Sequence, residues 1–101
     1  MYIYNVTIKI AHEIETAWLQ WMQEIHMQEV VDTGLFDSYQ FFYLHEGDDE
    51  EGKTYIAQYH TTHEERYKQY IEEFAPSLRE KGYALFGNKF IAFRSILKKI
   101  R

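Results

Sequence analysis

The 101-residue chain has no cysteine, a single proline and only five glycines. Without thiols it can form no disulfide, thiolate zinc site, iron–sulfur cluster or cysteine nucleophile. Basic charge is also scarce: 11 Lys and Arg stand against 16 Asp and Glu, a net charge of −5. That sign is wrong for a phosphate-backbone binder, so nucleic acid is not an expected partner. No uncharged run approaches the roughly 20 residues of a membrane span. The opening Met1-Tyr2-Ile3-Tyr4-Asn5 has neither the basic region nor the apolar stretch of a secretory signal. A cytoplasmic protein with no membrane partner is the expectation. Phosphate-binding glycine loops, nucleophile elbows and zinc-protease helices are missing too. Apolar residues at 46% and charged residues at 27% are ordinary globular values, and the length predicts one domain over 1–101.

Aromatic residues are what the chain has in excess: nine Tyr, seven Phe and two Trp. One small core cannot easily hide so many rings, so a binding cavity or a partner surface must take up the remainder. The pattern along the chain shows where they go. In residues 2–10, Tyr4, Val6, Ile8 and Ile10 alternate with Asn5, Thr7 and Lys9, the period of a half-buried strand. From Glu13 to about Asp32 the period becomes helical, with Ile14, Trp18, Leu19, Trp21, Met22, Ile25 and Val30 on one arc, and Gly34 at the C-terminal stop. Residues 36–45 and 53–61 read as strands. The acidic run between them, Glu46 to Gly52, lacks the alternating ligand spacing of a calcium loop and reads as a solvated hairpin tip. A second helix begins after Thr61 or Thr62, each three residues before a glutamate as in a capping box. Pro76 should break it near Glu73 to Ala75, Gly82 or Gly87 should release the chain, and residues 89–97 form the last strand.

This order predicts an α+β, ferredoxin-like βαββαβ fold, a four-stranded antiparallel sheet with two helices on one face. The later strands carry bulky apolar groups on both alternations: Phe41 with Phe42, Tyr55 with Ile56, Phe90 with Ile91. The helix-free face would then be too apolar for a monomer. A homodimer formed through that open sheet face is therefore expected.

The stretch Trp18-Leu19-Gln20-Trp21, His26 and Gly34-Leu35-Phe36 resembles the W-x-x-W-x-x-x-x-H…G-x-F pattern of the dimeric α+β barrel superfamily. Tyr4-Asn5-Val6-Thr7, Tyr70-Ile71 with Ala75-Pro76 and Leu78-Arg79, and Phe86-Gly87 with Phe90 and Phe93-Arg94 are similar to an uncharacterised bacterial branch, a domain family of unknown function. The resemblance implies two ferredoxin-like subunits paired through their sheets. Related branches include small-molecule isomerases, cofactor-independent monooxygenases and haem-degrading enzymes. The histidine is followed here by Met27-Gln28, where many superfamily members place a proline two residues on.

Three groups of residues could carry chemistry. His26 lies within the apolar arc of the first helix with Glu29 three residues on. An imidazole beside a carboxylate in an apolar setting suits a general base, and so makes His26 and Glu29 the candidate catalytic pair; a half-buried histidine hydrogen-bonded to Glu29 or to the sheet fits the same pattern. The first and third strands are expected to run parallel, which would bring His12, His60 and His63 to one end of the molecule. Surface histidines near helix caps are common, however, and no metal or cofactor is expected. The candidate ligand-binding residues are Asn5, Thr7 and Arg94 on the open sheet face, with Trp21 and Met22 from the helix. The same polar groups could instead line a dimer seam. Arg94, flanked by apolar neighbours, should find an acidic or carbonyl partner. The sequence therefore predicts a homodimer binding a small apolar or aromatic ligand, with a cofactor-independent isomerase or monooxygenase using His26 as the alternative.

Overall fold

The computed structural model describes residues 1–101. Four strands, β1 (Tyr2–Ala11), β2 (Ser38–Tyr43), β3 (Gly52–Thr61) and β4 (Phe90–Lys98), form one antiparallel sheet in the order β2-β3-β1-β4. This is the predicted α+β arrangement. Tyr4, Val6, Ile8 and Ile10 of β1 are buried beside Tyr55, Ala57 and Tyr59 of β3, and all the helices cover this face. Tyr4 lies at its aromatic centre, with ring centroids of Phe36, Tyr59, Tyr67 and Tyr70 all within 6.0 Å.

The first helical stretch runs through α1 (Glu15–Trp21), a π turn (Met22–His26) and α2 (Met27–Asp32), after a single 3-10 turn at His12–Ile14. The π turn corrects the arc expected from a regular helix. Nine residues of α-helix place Trp18 and Met27 about 180° apart, yet Trp18 is 2% and Met27 1% exposed. Ile25, expected in the core, is instead 49% exposed. The cause is one extra residue in the turn, where the Met27 N–H reaches the Met22 carbonyl five residues back. The insertion advances the apolar stripe by one position, bringing Met27 and Val30 onto the Trp18–Met22 face and extruding Ile25. Gly34 ends the stretch at φ 82°, its N–H bonded to the Val31 carbonyl.

The second stretch consists of α3 (Glu64–Glu73) and α4 (Ala75–Phe86), divided at Phe74 with Pro76 in the first turn of α4, the predicted break. Gly87, at φ 59°, closes α4. The expected capping box does not form. His63 holds the N-cap position without a side-chain bond, and Thr61 Oγ1 accepts from the His63 N–H instead.

One placement differs from expectation because β1 and β3 are antiparallel, pairing Tyr2 with Thr61 and Ala11 with Gly52. His12 therefore lies at the opposite end of the sheet from His60 and His63, and the three do not meet. No cluster of three or more His, Asp or Glu side chains is placed to hold a metal ion. The His12 Nε2–H instead donates to the backbone carbonyl of Asp49, at 2.9 Å, and Lys9 donates to that of Asp48, tying down the acidic hairpin loop. Gly52 is required where this hairpin enters β3: a Cβ there would lie 1.9 Å from the Ile10 carbonyl oxygen.

Candidate functional site

Between the sheet, the π turn and α4 lies an open cavity of about 60 Å³. Its walls are mostly apolar, formed by the rings of Trp18, Trp21 and Phe90 together with Met22 and Leu78. Gly82 makes room for Trp21, since a Cβ at that position would lie 3.3 Å from the indole. Into this space the π turn places His26, stacked on Trp21 with ring centroids 4.5 Å apart and planes 20° apart. In an α-helix, residues five apart point about 140° away from each other. The i→i+5 repeat of a π turn brings them one above the other. π turns occur frequently at functional sites, and this one creates the only histidine contact with the cavity.

Burial pushes the His26 imidazole down to about 4, with the positive charges of Arg94 and Lys81 adding to the depression and Glu29 opposing it. At neutral pH the ring is uncharged. Its Nδ1 is buried and has no hydrogen-bond partner. It is one of four buried side-chain atoms without a partner, with Glu29 Oε1, Asp49 Oδ1 and His60 Nε2, and it alone of these belongs to a residue that lines the cavity.

The expected His26–Glu29 hydrogen bond is absent. Glu29 projects from α2 toward α4, where its Oε2 accepts from Lys81 Nζ at 2.5 Å, and it acts on His26 through its charge alone. Arg94 also departs from expectation. The register pairs it with Val6, which places it on the helix side of the sheet, and it lines the cavity with Trp21 and Met22. Being exposed, it needs none of the partners a buried charge would require, and it has neither an ion pair nor a hydrogen bond. Asn5 and Thr7 lie on the opposite, open face. Gln58 donates to Asn5 Oδ1, and Asn5 Nδ2 donates to Thr7 Oγ1, forming a polar ladder across β3 and β1. The predicted ligand-binding residues are thus divided by the sheet: Trp21, Met22 and Arg94 join His26, whereas Asn5 and Thr7 do not. Sequence reasoning missed Arg79, which lines the cavity and donates to the Tyr4 hydroxyl at 3.0 Å, and the hydroxyl-bearing Tyr70. The available signal was the family resemblance, whose residues include both Tyr70 and Leu78-Arg79.

A four-stranded antiparallel sheet with its helices on one face defines an α+β, ferredoxin-like fold. Solved structures share the fold. An ethyl tert-butyl ether d (EthD) family protein from Bacillus halodurans aligns over 99% of this chain and 100% of its own, with TM-score 0.70 and 10% identity. A dimeric ferredoxin-like protein from an uncultured marine organism aligns over 100% and 96%, with TM-score 0.68 and 14% identity. SnoaB, a cofactor-independent oxygenase from Streptomyces nogalater, aligns over 99% and 94%, with TM-score 0.58 and 13% identity. No curated protein matches the chain. Over residues 1–100 it matches the family described as Domain of unknown function (DUF4286), and it belongs to that family.

Proposed function

We propose that this protein is a homodimeric α+β barrel that binds a small apolar or aromatic ligand in the His26 cavity. The observation that carries this reading is the uncharged imidazole of His26, stacked on Trp21 with its Nδ1 unpartnered, in a mostly apolar recess. Such a recess, apolar with a few convergent polar groups, has the composition of a small-molecule site. The open face supports pairing with a second copy. Ile91 and Phe93 of β4 are 60% and 67% exposed, with Phe42 of β2 44% exposed on the same side. One of the solved structures sharing the fold is described as dimeric.

The placement of His26 on the cavity wall supports a second reading, a cofactor-free isomerase or monooxygenase, although its lowered pKa makes it a weaker base than a free imidazole. The imidazole is unprotonated at pH 7 and able to take a proton, and the apolar walls limit water at the reacting group. SnoaB, of the same fold, is described as a cofactor-independent oxygenase. Glu29 has no direct part in this reading; its charge raises the basicity of His26.

The test is a thermal-shift screen of single-ring and two-ring aromatic compounds on wild type and His26→Ala. Ligand binding raises the melting temperature of wild type and by less in the variant. A panel that stabilises neither protein argues against the cavity as a ligand site. Turnover of a bound compound that persists in His26→Ala removes the base from the mechanism.

A further inference from the structure

We infer that the His26 cavity selects an anion, a single-ring aromatic carboxylate or phenolate whose charge is met by Arg94 and Arg79. The inference rests on the cavity reading above and adds the charge of the ligand. The chain carries a net charge of −5, yet none of the residues lining the cavity is acidic, while two of them are arginines. Glu29, whose charge reaches His26 from outside the lining, is paired with Lys81. The lining of the cavity is therefore cationic in an acidic protein, and such contrast favours anions.

Both arginines border the same cavity. Arg79 reaches over from α4 to the Tyr4 hydroxyl. Both arginines lie near enough to the Tyr70 phenol for their charges to oppose the rise that burial causes in its pKa. Arg94 also acts on His26. Its planar, five-donor fork has no protein partner, and such a fork matches a carboxylate in two-point fashion. A flat ring against Trp21 and Met22 would set its anionic group toward Arg94, with His26 Nδ1 beside the ring. Proximity of an anion would also raise the pKa of His26, making it a stronger base once the ligand is bound.

Benzoate and benzamide, which share a shape and differ in charge, test this inference. Binding is followed by NMR of the Trp21 indole N–H and the His26 ring in wild type and in Arg94→Gln, an exposed position whose substitution leaves the core untouched and whose spectrum checks the fold. Benzoate is expected to bind about tenfold more tightly than benzamide, as a charge-assisted hydrogen bond predicts. The preference should shrink with added salt. In Arg94→Gln it should fall to about twofold with benzamide unchanged, and benzoate should move the His26 titration upward in wild type. Equal binding of the two compounds to wild type overturns the anion selection and leaves the cavity reading intact. A preference undiminished in Arg94→Gln overturns the assignment to Arg94. Failure of either compound to perturb Trp21 or His26 overturns the cavity reading together with this inference.

Discussion

His26 concentrates the unusual chemistry of the molecule at one residue. Its pKa is lowered from 6.5 to about 4, first by burial and then by neighbouring positive charge. Because the unfolded chain binds the proton more readily than the folded one, the neutral imidazole's contribution is complete above about pH 6.5. It is lost as the pH falls from there to about 4. The shift corresponds to a loss on the order of 3 kcal/mol across that window. Denaturant unfolding at about pH 7 and pH 4, at one protein concentration, should therefore show a smaller acid-induced loss for His26→Gln than for wild type. Carboxylate titrations contribute to both proteins and cancel in the comparison. Equal losses would mean that the imidazole accepts a proton in the folded state without penalty.

At the scale of elements, the π turn decides which residues reach the core and which reach the site. It inserts one residue between two regular helical segments, so that Met22 and Met27 are both buried and Trp21 stacks on His26. Deleting exposed Glu24 should convert the turn to regular α-helix while leaving Trp18, Met22, Met27 and Val30 on one face. The variant is expected to keep its circular dichroism spectrum and to melt no lower than wild type. Its Trp21 and His26 would become an i,i+4 pair, adjacent along the helix but no longer stacked across a widened turn. Collapse of the fold on deletion would show that the inserted residue is needed by the core itself. The break between α3 and α4 has a simpler origin, since Pro76 supplies no N–H and fits the first turn of α4.

Across the whole molecule, the sheet has one face under helices and one without. The open face carries Phe42, Ile91, Phe93 and Leu97, each more than 40% exposed, around the polar ladder of Asn5, Thr7 and Gln58. Exposed large apolar side chains gathered on one sheet face are characteristic of an interface. Analytical ultracentrifugation at micromolar concentration should show a dimer for wild type. Phe93→Glu should sediment as a monomer, because it would bury a charge against a second apolar sheet. A wild-type protein that sediments as a lone protomer would exclude pairing through this face.

Local patterns determined most of the elements. The alternation of β1, the Gly34 stop, the Pro76 break and the two-sided apolar character of the later strands follow from nearest-neighbour geometry, and a single chain displays that geometry directly. His26, Trp21 and Met22 were legible as site residues for the same reason, since one helix carries all three. The tertiary structure decided what depends on register and on distant partners. Antiparallel pairing of β1 with β3 separated His12 from His60 and His63. One residue of strand register put Arg94 under the helices rather than beside Asn5 and Thr7, because a strand's side chains alternate faces. The π turn exchanged Ile25 for Met27, an insertion that a regular helical period cannot reveal. Glu29 was drawn away from His26 by Lys81, a residue 52 positions along the chain. Long-range contacts of this kind carry no local signature, so only folding brings them into being.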